Sequence, residues 1–195
     1  MTRSLLPFGA ALVACLLAAG CRTTPAPVAE AKTPLMRVED LFPLRVGSRW
    51  TYEVRGAGQI GTQSVAIVGE EDGWFVDSQG GRLRVDAFGL RDPNRYLLRA
   101  PIEAGTTWSN VESVQSIEHH EIIEAGSPCT VKAGTWARCV VVRSTNAVTP
   151  TRVFVLESTF AEGVGLVAQR TLQEEKGLDP VVVLQRELVS FEPAP

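Results

Sequence analysis

The sequence predicts an all-β fold, a single antiparallel domain of about eight to ten strands arranged as a strongly curved sheet, a half-barrel or a sandwich. Apolar and polar residues alternate along Arg49–Arg55 and Arg82–Ala87, which is the period of a half-buried strand. Asp72-Gly73 and Gln79-Gly80-Gly81 supply the residues that tight hairpin turns require. After residue 20, no stretch of a dozen residues carries a convincing helical stripe.

The alternation places Trp50, Tyr52 and Val54 on one face of the first strand, and Leu83, Val85 and Ala87 on one face of a later one. Ser116–Ala125 is ambiguous, because its isoleucines suit a strand or a helix. Short connections between strands favour antiparallel pairing. Further strands, rich in β-branched residues and leucine, are predicted at Ser64–Val68, Trp74–Asp77, Tyr96–Arg99, Ala137–Arg143, Arg152–Glu157, Gly165–Arg170 and Val181–Val189.

Residues 1–20 read as a cleaved export signal. A short positive start containing Arg3 precedes an apolar run from Leu5 to Ala19, which is shorter than the roughly 20 residues of a membrane-spanning helix. The run ends in small residues, as cleaved signals do. Ala18-Ala19-Gly20-Cys21 resembles the bacterial lipobox, with Ala18 in place of the usual leucine. This resemblance implies that Cys21 carries a diacylglyceryl thioether and an acylated amine; the alternative is an ordinary secretory signal with a chance cysteine.

Residues 21–35 form the predicted anchor and tether, and residues 36–195 the predicted domain. Pro25, Pro27 and Pro34 favour extended backbone of about 3 Å per residue. Two acyl chains anchor a protein stably without a spanning segment. In a Gram-negative host, Arg22 after the cysteine implies sorting to the outer membrane, with the domain on its periplasmic face.

The charge balance argues against nucleic-acid binding. The whole chain carries 19 basic and 22 acidic residues, a net charge of −3. Removing residues 1–20 takes Arg3 and no acid, which leaves −4. Nucleic-acid binding uses basic patches or stripes, and attachment to anionic lipid by charge alone is equally disfavoured.

Two cysteines remain once Cys15 is removed with the signal and Cys21 is lipidated. Cys129 and Cys139 form an even pair in a compartment where disulfides persist. In a hairpin centred on Gly134 they lie directly opposite each other, at a distance that a disulfide can bridge. The sequence therefore predicts a Cys129–Cys139 disulfide. A redox pair or a metal thiolate site lacks the close spacing or the partner ligands it needs.

The segment Gly56–Gly61 matches the G-x-G-x-x-G pattern of dinucleotide-binding loops. That chemistry needs a helix directly after the glycines, whereas residues 62–68 alternate as a strand does. The segment therefore reads as a glycine-rich hairpin loop, and no cofactor is expected.

Glu118-His119-His120-Glu121 contains both histidines of the chain. On a strand these residues give two ligands per face, fewer than the three or four that zinc requires. We therefore expect a solvated polar strand and no metal site. There is no G-x-S-x-G motif, and a Ser–His dyad finds no local support. We expect no catalytic residues and no enzyme activity.

Four short motifs together resemble a family of secreted bacterial proteins and lipoproteins of uncharacterised function. The opening F-P-L-x-x-G-x-x-W-x-Y corresponds to Phe42, Gly47, Trp50 and Tyr52, and a P-x-x-x-G-x-x-W element to Pro101, Gly105 and Trp108. Val131–Cys139 resembles its V-P-A-G-T-F-x-x-C hairpin, with Lys132 and Trp136 as departures, and Gly163–Val167 resembles its closing G-V-G-L-V. The resemblance implies a curved antiparallel sheet and almost no function, and the motif residues look architectural.

The sequence leaves two functions open beside the enzyme already disfavoured. The first is a non-catalytic envelope lipoprotein that presents a β domain for protein interaction or envelope assembly. The alternative is a carrier or sensor of a lipid or another apolar ligand in a concave sheet face, an analogy at the level of the fold. A surplus of inward apolar residues would favour the carrier. The segments that hint at it are Trp74–Val76, Val153–Leu156 and Val181–Leu184, which would otherwise be central strands of a sandwich.

Overall fold

The computed structural model describes residues 36–113 and 116–195, all within one compact unit. These residues form a short helix and twelve strands. The elements are α1 (Val38–Leu41), β1 (Arg49–Gly56), β2 (Gln59–Glu71), β3 (Trp74–Asp77), β4 (Arg82–Asp86), β5 (Gly89–Arg91), β6 (Tyr96–Arg99), β7 (Thr107–Ser113), β8 (Ser116–Val131), β9 (Gly134–Thr149), β10 (Arg152–Ala161), β11 (Gly165–Glu175) and β12 (Val181–Glu192).

All twelve strands belong to one antiparallel sheet, in the order β6-β5-β4-β3-β2-β1-β12-β11-β10-β9-β8-β7. The edge strands β6 and β7 approach each other, since the indole N–H of Trp108 donates to the carbonyl oxygen of Tyr96 at 3.0 Å. Beside them, Arg95 donates two hydrogen bonds to the Glu118 carboxylate. The sheet is therefore nearly closed into a barrel. The predicted all-β, strongly curved antiparallel class is confirmed, and the sandwich alternative is wrong.

The strand count exceeds the predicted eight to ten. Gly89–Arg91 and Thr107–Ser113 were not predicted, because one is only three residues long and the other is largely polar. The ambiguous segment Ser116–Ala125 is the first part of β8. The predicted inward position of Ala87 is wrong, because β4 ends at Asp86 and Ala87 lies exposed in the following turn.

The β1–β2 hairpin confirms the interpretation of the glycine-rich motif. Ala57 and Gly58 form its turn with φ angles of 49° and 75°, the left-handed pair of a type I′ turn. Gly56 pairs with Gln59, and Gly61 lies within β2. No helix follows the glycines, so the segment lacks the helix N-terminus that binds a pyrophosphate.

The core lies on the concave face of the sheet. Trp50 and Tyr52 are buried on β1 as predicted, and Val54 packs against the same cluster. Further fully buried side chains come from α1 and from strands on both sides of β1, so one core is continuous through the domain. They include Leu41, Leu90, Leu98, Ile122, Val140, Val142, Val167 and Leu188.

Cys129 on β8 and Cys139 on β9 form the predicted disulfide, with Cα atoms 5.9 Å apart. The bond joins the distal part of the longest hairpin in the molecule, whose two strands have 16 residues each. It therefore holds together a segment whose turn contacts β12, where the Ala133 N–H donates to the carbonyl oxygen of Leu188 at 3.0 Å.

The predicted geometry of that hairpin is wrong in detail. Lys132 and Ala133 form its turn, and Gly134 is the first residue of β9. Cys129 consequently pairs with Trp136 and does not lie directly opposite Cys139. A register shift between Ser127, which pairs with Cys139, and Cys129 brings the two cysteines together, and such a bulge leaves no trace in residue spacing.

The predicted signal, the lipidated Cys21 and the tether at 21–35 lie outside the described residues, so those predictions stand as made. Within residues 36–113 and 116–195, no helix is long and apolar enough to cross a membrane.

Candidate functional site

A cavity of about 380 Å³ opens on the concave face of the sheet. Its size lies within the range of roughly 300–1,000 Å³ typical of small-molecule sites. Both halves of the sheet contribute to its wall, and about half of the lining side chains are apolar or aromatic. They include Trp50, Tyr52, Leu83, Leu97, Leu156, Phe160 and Leu166.

One end of this cavity is tightly packed, and the sequence motifs account for it. The Trp50 indole N–H donates to the carbonyl oxygen of Val164 at 2.7 Å, and the Tyr52 hydroxyl donates to that of Leu166 at 2.8 Å. Phe42 lies 5.6 Å from the Trp50 ring, centroid to centroid. The opening and closing motifs therefore bind each other and act architecturally, as predicted. We call Phe42, Trp50, Tyr52, Phe160 and Leu166 the packed end.

Gly165 lets the closing motif reach this end. Its φ of +102° is one that side chains with a Cβ rarely adopt, and a Cβ placed there would lie 2.9 Å from two ring carbons of Phe42. Both the backbone conformation and the contact with Phe42 therefore require glycine.

A buried polar network crosses the cavity wall on β8 and β9. Glu118 and His120 are only 6% and 4% exposed, so the expected solvated strand is wrong for this face and holds only for exposed His119 and Glu121. His120 Nε2 lies 3.2 Å from a Glu118 carboxylate oxygen, and Nδ1 lies 2.7 Å from the Ser144 hydroxyl. The side chains thus follow the order of a Ser–His–Glu triad.

Two contacts fix the imidazole of His120 within this network. The Trp108 ring stacks on it, with centroids 4.9 Å apart and planes 7° from parallel. The amide nitrogen of Asn110 lies 2.8 Å from Nε2 and also 3.3 Å from the carbonyl oxygen of Tyr96. Nε2 therefore faces the Asn110 amide and the Glu118 carboxylate together, and Nδ1 faces the Ser144 hydroxyl.

The Ser144 side chain is buried and contacts Nδ1 of His120 through its hydroxyl. Ser144 lies in the middle of β9, paired with His120 on one side and Leu156 on the other, so the nearby backbone N–H groups serve the sheet and do not form an oxyanion hole. The network instead links β7 and β8 to β6 and the residue before it, where the sheet nearly closes.

Glu118 is ionised within the network. Burial acts to raise its pKa, but hydrogen bonds from His120 and Arg95 together with the positive charge of Arg95 outweigh burial and lower the pKa below its ordinary value. Arg95 contacts the two carboxylate oxygens at 2.9 and 2.8 Å. This cation of the cavity wall is therefore paired.

Arg186 on β12 also lines the cavity. It pairs with Val54 on β1 and Gln169 on β11, so its side chain shares their concave face. The guanidinium carbon lies 5.4 Å from the centre of the Tyr52 ring. Its Nε is buried without a hydrogen-bond partner, and within residues 36–113 and 116–195 no carboxylate forms an ion pair with it. Burial lowers the pKa of Arg186 from its ordinary value.

The opposite end of the concave surface is apolar and uncovered. Leu184 shares the face of Arg186 two residues along β12, and Phe154 shares the face of Leu156 on β10. Leu184 is 43% exposed and Phe154 37%. Strands β3–β6 have only three to five residues, too few to cover the longer strands opposite. We call Phe154, Leu156 and Leu184 the open face.

The sequence located only part of this site. No group of three or more His, Cys, Asp or Glu in the described part of the chain is arranged to hold a metal ion. The sequence analysis did not predict that Glu118 and His120 are buried, although their alternation with His119 and Glu121 indicates that the two pairs lie on opposite faces of a strand. It also missed Arg186, which resembles any exposed arginine on a strand.

No protein-family model matches the sequence, and no curated protein is significantly similar to it. Two crystal structures are distantly similar. One is of a protein inferred to be exported, with a YmcC-like fold, from Bacteroides fragilis NCTC 9343; it has 12% identity and a TM-score of 0.42 over 76% of this chain and 97% of that one. The other is of a protein inferred to be a lipoprotein from Parabacteroides distasonis ATCC 8503, with 13% identity and a TM-score of 0.41 over 80% and 100%. Neither similarity is close enough to assign a family or a function to this chain.

Proposed function

We propose that this chain is a membrane-anchored bacterial envelope lipoprotein, non-catalytic, whose concave face carries or senses a lipid or another apolar ligand. The observation that carries the proposal is the open face. Its apolar side chains line or adjoin a 380 Å³ cavity and remain exposed. A ligand with an apolar part would remove that surface from water, which is favourable by roughly 25 cal/mol per Å² of apolar area buried.

The fold explains how such a face persists in a soluble domain. The packed end and the disulfide-linked hairpin stabilise the sheet without help from the open face. Phe154 and Leu184 therefore need not be buried for the protein to fold. The inward apolar residues in Val153–Leu156 and Val181–Leu184 exceed what the core uses, which is the pattern that favours a carrier.

The ligand is tested on full-length protein extracted from its membranes in a mild non-ionic detergent. Native mass spectrometry before and after denaturation should find a mass that is released on unfolding, whereas the covalent anchor on Cys21 remains. Leu156→Trp places a larger side chain in the cavity and should abolish the released mass. Val153→Trp, on the other face of the same strand, is the matched control.

Two outcomes of this experiment would contradict the carrier. One is a folded wild-type protein that releases nothing on denaturation. The other is a released mass that Leu156→Trp and Val153→Trp diminish equally, because such a molecule would be bound elsewhere.

The absence of catalysis is part of the proposal and rests on the geometry of Ser144. Activity against p-nitrophenyl esters of short and long acids should be no higher for wild type than for Ser144→Ala or for a Glu118→Ala, His120→Ala double variant. Turnover that is lost in Ser144→Ala would contradict a non-catalytic role.

The anchor is proposed to be the acylated Cys21, with the domain on the periplasmic face of the outer membrane. Labelled palmitate should enter the wild-type protein and not Cys21→Ala, and wild type should sediment with outer membranes on a density gradient. Sedimentation with inner membranes would refute the sorting inferred from Arg22.

A second candidate function, presentation of the domain for protein interaction or envelope assembly, is favoured by apolar residues on four hairpins at the same end of the sheet as the open face. The exposed members are Ile60, Val111, Ile117, Val148, Leu178, Val181, Val182 and Val183. A photo-crosslinking residue at Ile60 should then capture one specific envelope protein in living cells, whereas the same probe at exposed Glu103 should not.

A further inference from the structure

We infer that Arg186 makes the cavity a site for a single-chain amphiphile with an anionic head group, the head bound by the guanidinium and the chain lying along the open face. This inference rests on the proposed function, because it names the class of ligand that the concave face takes. It adds a charge requirement that an apolar carrier would not have.

The guanidinium of Arg186 carries a charge that no carboxylate of the described residues pairs with. Charged groups taken out of water are normally paired and hydrogen-bonded, because desolvation is otherwise uncompensated. A guanidinium presents five N–H donors and no acceptor. Within residues 36–113 and 116–195 no oxygen accepts from Arg186, and its Nε is inaccessible to water.

Nearby groups do not neutralise this charge. The Tyr52 ring, 5.4 Å from the guanidinium carbon, attracts the cation through its face, but the Tyr52 hydroxyl is committed to the Leu166 carbonyl. The Gln169 amide nitrogen donates to Ser158 at 2.9 Å. An anion in the cavity would meet a desolvated cation and adjacent polar side chains.

Arg186 contrasts with Arg95, and both line the cavity together with Arg82, whose guanidinium carbon lies 5.8 Å from the centre of the Trp74 ring. Arg95 is satisfied by the bidentate carboxylate of Glu118, so the chain supplies its anion. Arg186 offers the same guanidinium N–H donors, and within residues 36–113 and 116–195 no carboxylate pairs with it. A carboxylate or phosphate group from a ligand would make the pairing with Arg186 that Glu118 makes with Arg95.

Arg186 lies between polar and apolar surface. Leu184 lies two residues away on the same face of β12, and Leu156 lines the same cavity. A head group at Arg186 therefore leaves its chain next to the open face. A cavity of 380 Å³ is at the lower end of ligand sites, which favours one acyl chain over the two of a bilayer phospholipid.

The test uses full-length protein in non-ionic detergent and native mass spectrometry with four probes added separately, of which acetate is the free anion without a chain. Palmitate and lysophosphatidate carry carboxylate and phosphate heads, and hexadecanol has the same chain length as palmitate without charge. Wild type should bind an anionic probe at least about tenfold more tightly than hexadecanol. The preferred anionic probe identifies the head group.

Three variants separate the charge from the fold. Arg186→Gln should lower affinity for the anionic probe roughly tenfold or more and leave hexadecanol unchanged, and Arg186→Lys should restore part of the loss. Arg84→Gln is the matched control, because Arg84 also has a buried, unpaired Nε and lies 4.5 Å from an aromatic ring, that of Trp74, but does not line the cavity. It should change nothing.

The failures of the inference and of the proposed function are distinguishable. Equal binding of palmitate and hexadecanol, or equal loss of both in Arg186→Gln, overturns the anionic site and leaves an apolar carrier. No binding of any probe to folded wild type overturns both. Equal binding of acetate and palmitate would mean that the site takes a free anion, which contradicts the amphiphile.

Discussion

The packed end and the open face belong to the same concave surface, but one is buried within the protein and the other is exposed to solvent. At the packed end, Trp50 and Tyr52 each donate a hydrogen bond to a backbone carbonyl oxygen, and the ring of Phe42 packs against that of Trp50. At the open face, Phe154 and Leu184 remain in solvent. Stability is therefore concentrated where the motifs meet, and the residues of the open face are not needed for folding.

Truncating one aromatic side chain in each region should give the greatest difference in stability. Trp50→Ala should lower the free energy of unfolding by roughly 3–5 kcal/mol, because it leaves a cavity and an unsatisfied carbonyl. Phe154→Ala should cost about 1 kcal/mol or less, because its side chain is already exposed. Urea denaturation measures both. Similar losses would mean that the open face also stabilises the fold.

The disulfide comes next, since the hairpin it joins packs against the core through Val131, Ala133 and Trp136. Replacing Cys129 and Cys139 together by serine should lower stability by about 2–3 kcal/mol, the entropy of so short a loop. Thermal unfolding of wild type with a reductant should match the double variant, and the reductant should not affect that variant. A reductant effect on the variant would mean that the cysteines are not its target.

Glu118 tests the polar network that links β8 to the residues beside β6. Its folded pKa is lowered, so its stabilisation is present above its unfolded pKa of about 4.3 and is lost as pH falls through the folded pKa. Glu118→Gln should cost about 2 kcal/mol at pH 7 and flatten the acid limb of the stability profile between pH 7 and pH 3. Glu121→Gln, on the exposed face of β8, should leave that limb unchanged.

Gly165 tests how closely the packed end is fitted. Gly165→Ala introduces a strained φ and a contact with Phe42, whereas Gly58→Ala introduces the strained φ alone, with no atom within 4 Å. We expect Gly165→Ala to be more destabilising by about 1–2 kcal/mol. Equal losses in chemical denaturation would assign the whole effect to the backbone.

One substitution should stabilise the protein, by a smaller amount than the losses above. Arg186→Met removes an unpaired buried charge and should raise the free energy of unfolding of the ligand-free protein by about 1 kcal/mol. A loss of stability in Arg186→Met would show that the Tyr52 contact already satisfies the guanidinium.

Much of the fold followed from local patterns. Trp74–Asp77 and Tyr96–Arg99 coincide with β3 and β6, because alternation and turn residues act over a few positions. The hairpin of Cys129 and Cys139 shows where this reasoning ends. The pairing was predictable from the spacing, but the turn at Lys132-Ala133 and the register shift between Ser127 and Cys129 were not.

The amino-acid sequence alone determined the all-β class, the disulfide partners and the structural role of the motifs, because period-two alternation, cysteine count and turn chemistry are local properties. Only the tertiary structure decided which polar residues are buried and which apolar residues stay exposed. Glu118 and Arg95 are 23 residues apart, and Arg186 faces a cavity whose walls come from both halves of the sheet. Burial and charge pairing depend on which distant strands the curvature brings together, and no local pattern contains that information.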